Sequence, residues 1–140
     1  IIPDKFFPAF LLGYIEGDGS PYLDIKKNSM ALRLTILGTK DICLWLKEKI
    51  SEIYGVELIA VHRHKGIYQV TISNGGDVSI ILSDLYDRIN SKMVYKKDKM
   101  IKFLKWFKDH KTYHNRGNDR NRYKDDQMKK LDYVIKRYNY

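Results

Sequence analysis

The chain has 140 residues, 44% hydrophobic and 13% aromatic, which suits one folded domain with its own core and argues against a disordered chain. Twenty-six Lys/Arg against seventeen Asp/Glu give a formal charge of +9. No apolar run reaches the roughly 18 residues of a membrane span and no signal peptide is visible, so an intracellular setting (cytoplasm or organelle matrix) is expected, not a secreted or membrane one.

In chain order, residues 4–17 read as a helix. Phe7, Phe10, Leu11 and Tyr14 follow the spacing of one helical face, and Gly19 ends it. Its last ten residues, "LLGYIEGDGS", carry two glycines one turn apart, Gly13 and Gly17, and two acids, Glu16 and Asp18. "PYLDIKK" alternates, with Tyr22, Asp24 and Lys26 opposed to Leu23 and Ile25. "ALRLTIL" alternates too, with Leu32, Leu34 and Ile36 opposed to Arg33 and Thr35; the turn-like "KNS" joins the two as a hairpin. Thr39 caps a helix with the apolar stripe Ile42, Trp45, Leu46, Ile50 and Ile53, which Gly55 ends. Cys43 on this helix reads as core and, as the lone cysteine, excludes an internal disulfide.

The pattern then repeats. "VELIAVHRH", a Lys65-Gly66 turn and "IYQVTIS" make a second hairpin, in which Tyr68, Val70 and Ile72 oppose Gln69, Thr71 and Ser73. A third helix follows "NGG", with Val78, Ile81, Leu82, Leu85 and Ile89 on one face. A fourth, at about 97–109, turns Met100, Phe103, Leu104 and Phe107 inward and carries Lys99, Lys102, Lys105 and Lys108 elsewhere. "HKTYHNRGNDRNR" reads as a polar loop, and a last helix at about 123–138 buries Met128, Leu131, Ile135 and Tyr138.

The order α-ββ-α-ββ-α-α with a tail helix gives an α+β fold: a four-stranded antiparallel sheet with helices on one face. Residues 1–110 form the core domain, and residues 111–140 add a basic loop and a C-terminal helix. The opposite sheet face carries Tyr22, Asp24, Lys26, Arg33, Thr35, Gln69 and Thr71. Such a face fits the major groove of duplex DNA, although half of any one-sided sheet is polar simply because it meets water. Charge points the same way. Residues 1–54 hold seven Lys/Arg and seven Asp/Glu, so the whole +9 lies in residues 55–140, as a polyanion partner would favour.

Each interior glycine of the first helix costs about 1 kcal/mol against Ala. Small residues at that spacing let a second helix approach closely. Asp18 opposes the negative end of the helix dipole unless a cation sits there. Two such helices packed through their glycines bring two Asp18 carboxylates together, where a hard divalent ion can be held and phosphate chemistry done. Glu16 is read as fixing the helix end.

This stretch resembles the motif of the LAGLIDADG homing endonucleases. Gly13, Ile15, Asp18 and Gly19 match it directly, while Leu12, Tyr14, Glu16 and Gly17 replace Ala, Leu, Asp and Ala. The helix-then-hairpin context and the element order match over about residues 4–109. The resemblance implies a saddle-shaped sheet astride double-stranded DNA, with two motif helices packed at the centre through Gly13 and Gly17 and flanked by Phe10 and Tyr14. It implies a metal site at Asp18 and Gly17, filled by Mg2+ or another divalent cation such as Mn2+ or Ca2+. A lysine before the fourth helix implies an assisting role for Lys97, or Lys96 next to it. A polar residue often follows the second strand in the family; Gly38 and Thr39 stand there. The strand-face residues above, Asn28 and the strand end His62, Arg63 and His64 are the expected readers of DNA.

Only one such motif occurs, which implies a homodimer on a near-palindromic site, or else one lobe of a two-motif endonuclease. The alternatives on the same fold are a maturase acting on intron RNA and a nucleic-acid-binding protein that does not cut. An unrelated basic RNA-binding domain is a third reading. The spacings His62-x-His64 and His110-x3-His114 also suit zinc, but no cysteine pair accompanies them.

Overall fold

The computed structural model describes residues 2–26, 29–88, 97–109 and 121–140. A short 3-10 turn, Asp4–Phe6, leads into α1, Phe7–Asp18. Pro8 lies in the first turn of α1, where its missing N–H is no loss. β1, Gly19–Lys26, follows without a linking loop and pairs antiparallel with β2, Ser29–Gly38. α2, Lys40–Tyr54, starts at Thr39, whose hydroxyl accepts the backbone N–H of Ile42 at 3.3 Å. That cap satisfies one of the helix's orphan donors. The polar residue after the second strand therefore has a structural task.

β3, Ala60–His64, and β4, Ile67–Ile72, form the second hairpin. Lys65 and Gly66 both have positive φ, 50° and 83°, as a two-residue hairpin turn of matching twist requires. β3 starts four residues later than the sequence pattern implies. Val56 and Ile59 are buried while Glu57 and Leu58 are exposed, a spacing of three that no strand follows. α3, Gly75–Arg88, α4, Lys97–Asp109, and α5, Asn121–Arg137, complete the described elements.

The sheet order is β1-β2-β4-β3, with every neighbouring pair antiparallel. Leu32, Leu34, Ile36, Val70 and Ile72 line one face and are buried. Against them pack Leu11 and Ile15 of α1, Leu46 and Ile50 of α2, Ile81, Leu82 and Leu85 of α3, and Met100 and Leu104 of α4. Helices thus cover one face, in an α+β arrangement. α5 lies over α3 and adds Leu131 and Val134 to the same core. Buried Asp77 of α3 is held by Lys130 Nζ at 2.6 Å, and Gln127 Oε1 accepts the Asp77 N–H at 3.1 Å. Ile89, and the loop with His110 and His114, lie outside the described residues.

Candidate nucleic-acid interface and the end of the first helix

α1 is apolar on nearly every face; Glu16 and Asp18 are its only charged residues. Leu11, Leu12 and Ile15 point into the core, yet Ala9, Gly13 and Gly17 form a stripe open to solvent. A Cβ built on Gly13 or Gly17 would meet nothing within 4 Å. The chain's own packing therefore does not require either glycine. Phe10 and Tyr14, expected beside them, are half-buried and turn toward their own domain. Phe10 packs edge-on against Trp45, and the Tyr14 hydroxyl donates to the Leu37 carbonyl at 3.0 Å. Burial, with the Asp18 charge nearby, holds the Tyr14 phenol above its ordinary pKa. Gly38 makes room for this bond: a Cβ there would lie 2.7 Å from the Tyr14 oxygen.

Gly19 differs from Gly13 and Gly17. Its φ of −90° is ordinary, but a Cβ would fall 2.6 Å from Ile15 Cα. The chain can pass directly from α1 into β1 only because this residue has no side chain. That tight exit leaves Asp18 exposed at the last helical position. Among the described residues no hydrogen bond or ion pair reaches its carboxylate. Glu16 is half-buried, and its Oε1 accepts the hydroxyl of Tyr86 from α3. The two acids of the stretch thus do different things: Glu16 ties α1 to α3, and Asp18 faces solvent.

A hard cation fits this end of α1. The dipole's negative pole, the exposed Asp18 carboxylate and the Gly17 carbonyl, one of the last four that a helix leaves without an internal donor, are all oxygen ligands or fields that favour it. One chain supplies only part of a site. Among the described residues no three His, Cys, Asp or Glu side chains cluster as a metal site.

The exposed sheet face begins beside this helix end. Its rows follow from the register: Ser20, Thr35, Thr71 and Ala60 in one; Tyr22 and Arg33 in the next; Leu37, Gln69 and His62 on the other side; then Ile67 and His64. Asp24 and Lys26 continue the same face of β1, opposite Ala31 and Ser29. Gln69 and His62 touch through their Nε2 atoms. Arg63 pairs in register with Tyr68, so it belongs to the opposite face from His62 and His64. Asn28 lies outside the described residues.

No protein-family model matches the chain, and no curated protein matches it. Solved structures do. The homing endonuclease I-CvuI, in complex with the I-CreI target in the presence of Mg, superposes over 91% of this chain and 96% of its own, with a TM-score of 0.54 and 15% identity. The I-LtrWI LAGLIDADG homing endonuclease bound to target DNA gives a TM-score of 0.59 at 12% identity, over 80% of this chain and 40% of that one. The group I intron-encoded homing endonuclease I-CeuI, complexed with DNA, gives 0.56 at 13% identity, over 77% and 57%. The chain has the LAGLIDADG homing-endonuclease fold. It spans nearly the whole of I-CvuI but only about two-fifths of I-LtrWI.

Within this LAGLIDADG fold, α4 lies against β1 and β2. Lys97 directs its ammonium over the Tyr140 ring, 5.4 Å from the centroid. It also lines a cavity of about 400 Å³ with Tyr86 and Tyr138. Tyr86 thus lines the Lys97 cavity and donates to Glu16 of α1. Lys99, read from the sequence only as part of a solvated face, donates to the Pro21 carbonyl at 2.9 Å, three residues beyond Asp18. Lys99 is the cation that sequence reasoning missed, because nothing in "KKDKM" tells which lysine leans toward β1. Lys96 lies outside the described residues.

Proposed function

We propose that this chain is a site-specific, metal-dependent double-strand DNA endonuclease that acts as a homodimer. The observation that carries the reading is the end of α1. An exposed Asp18 without a cation partner among the described residues sits beside an open Gly13–Gly17 stripe, at the head of a hydrogen-bonding sheet face. The helix-end charge and the interior glycines are unfavourable for a lone chain, and a second α1 with a divalent ion would relieve both.

In this reading Asp18 and the Gly17 carbonyl hold one side of the ion, and a second copy supplies the other. The ion, Mg2+ or a similar hard cation, would polarise the scissile phosphate and activate water. Lys97, which lines a cavity with the Tyr86 that donates to Glu16, would offset negative charge as the phosphodiester is attacked. Tyr22, Asp24, Lys26, Arg33, Thr35, His62, His64 and Gln69 hold the duplex in register, while the lysines of residues 55–140 meet phosphates; Thr71, expected among them, has its hydroxyl buried in the sheet. The DNA bound by I-LtrWI and I-CeuI supports the choice of partner; I-CvuI holds the I-CreI target uncleaved in the presence of Mg, so the choice of a hard cation rests on the oxygen ligands at the end of α1. The match to two-fifths of I-LtrWI also suits one lobe of a two-lobed endonuclease.

Incubation with a randomised duplex library, with and without magnesium, tests the activity. Enriched cut ends are expected with the metal only. Asp18→Asn is expected to abolish cutting while retaining binding to the selected duplex. Absence of cutting at every protein and metal concentration would refute the enzyme reading.

A further inference from the structure

The hydrogen-bonding sheet face contains two aliphatic side chains that the core does not use. Leu37 is 38% exposed and Ile67 is 40% exposed. Both stand on the same face as Thr35, Gln69 and His62, and the helices pack on the other side. The Leu37 backbone is anchored through its carbonyl, which accepts the Tyr14 hydroxyl at 3.0 Å, and Ile67 follows directly on the Lys65–Gly66 turn. A single exposed aliphatic side chain is ordinary; what distinguishes these two is their place on the hydrogen-bonding face opposite the helices, where a methyl group of a bound duplex can meet them.

The register says what that partner is. Across the sheet Leu37 stands opposite Gln69, and Gln69 opposite His62. The row therefore reads aliphatic, amide, imidazole. The major-groove edge of a T·A pair reads methyl, O4, then N6 and N7 of adenine. Two strand spacings cover about 10 Å, which fits a major groove about 12 Å wide. Ile67, opposite His64, repeats the combination of aliphatic and imidazole in the next row.

We propose that Leu37 and Ile67 read thymine 5-methyl groups, which makes the part of the target facing the β2–β4–β3 rows an A·T-specific subsite. This rests on the reading that the sheet face engages duplex DNA. It adds two specificity residues that carry no hydrogen-bonding group and so escape any search for polar readers.

Replacing single thymines by uracil removes one methyl and leaves every base-pairing and hydrogen-bonding group in place. The probe is the duplex that the wild-type chain selects from a randomised library, measured in binding without cleavage. One or two positions are expected at which uracil weakens wild-type binding about fourfold, the value of one buried methyl. Leu37→Ser should lose that preference at one position and Ile67→Thr at another, with affinity elsewhere following the wild type. Uracil tolerated at every position by the wild-type chain, or variants that keep the same methyl preference, would overturn the proposal while leaving DNA reading intact. A chain that selects no duplex at all fails at the earlier step and takes this inference with it.

Discussion

Asp18 places a full negative charge where the α1 carbonyls already concentrate one. A residue retained for the single chain's stability would not sit there. Asp18→Asn should therefore raise the stability of the metal-free protein by about 0.5 kcal/mol, within the range of helix-dipole effects. The wild type, but not the variant, should gain thermal stability when magnesium is added. Differential scanning fluorimetry with and without chelator reads both. A variant that melts lower than the wild type without metal would mean that Asp18 is structural.

The lysines at the start of α4 separate in the same way. Lys97 lines the Tyr86 cavity with its ammonium over the Tyr140 ring, whereas Lys99 donates to the Pro21 carbonyl. Lys97→Met should slow cleavage ~100-fold, as loss of one assisting group does, with duplex affinity nearly unchanged. Lys99→Met should instead lower stability by about 1 kcal/mol, the worth of a partly exposed hydrogen bond. Single-turnover cleavage rates beside melting curves distinguish them. If Lys99→Met slows cleavage at unchanged stability and Lys97→Met does not, the two roles are reversed. The resemblance points to Lys97, or to Lys96 next to it, as the assisting lysine, but only the fold gives the Lys97 and Lys99 ammonium groups a direction.

Among the elements, α1 is where sequence and fold part most instructively. The motif, its helix and its sharp stop are legible because glycine and charge break an otherwise apolar run. The expected partner face is legible only in the Gly13–Gly17 spacing, because a helix apolar on nearly every face has little periodicity to separate its core side from another apolar side. The resemblance implies that Phe10 and Tyr14 flank the interface, yet Trp45 packs on the Phe10 ring and the Leu37 carbonyl accepts the Tyr14 hydroxyl. The strands were legible wherever side chains alternate, as in β1, β2 and β4, and the pattern misled at 56–59, where a turn-like spacing mimics a strand start. The three glycines of α1 and its exit give a test at this scale. Gly13→Leu adds a side chain into open space and should raise the stability of the isolated chain by about 1 kcal/mol through helix propensity. The same change should abolish pairing and cleavage. Gly19→Ala, forced to within 2.6 Å of Ile15 Cα, should lower stability by about 2 kcal/mol, as overpacking does. Denaturant melts and sedimentation measure the two effects separately. A Gly13→Leu chain that still pairs and cuts would remove α1 from the interface.

The whole molecule brings these features to one end. One chain presents an incomplete ligand set, an open helix stripe and a sheet face that begins beside both. In the proposed homodimer, two copies related by a two-fold axis would complete all three, and the symmetry of the protein would then fix that of the DNA. The chain is therefore expected to bind the selected duplex as two copies, and the selected sequence to be an inverted repeat. Salt should weaken binding steeply, because the excess positive charge of residues 55–140 acts on phosphates. Multi-angle light scattering of the complex gives the stoichiometry, and the selected sequence gives the symmetry. The two readouts must agree. One chain per duplex with an asymmetric target would overturn the homodimer and make this chain one lobe that needs a different second α1. Two chains on a symmetric site, with Gly13→Leu reduced to one chain and no cutting, would tie the α1 glycines, the paired Asp18 carboxylates and the palindrome to one interface.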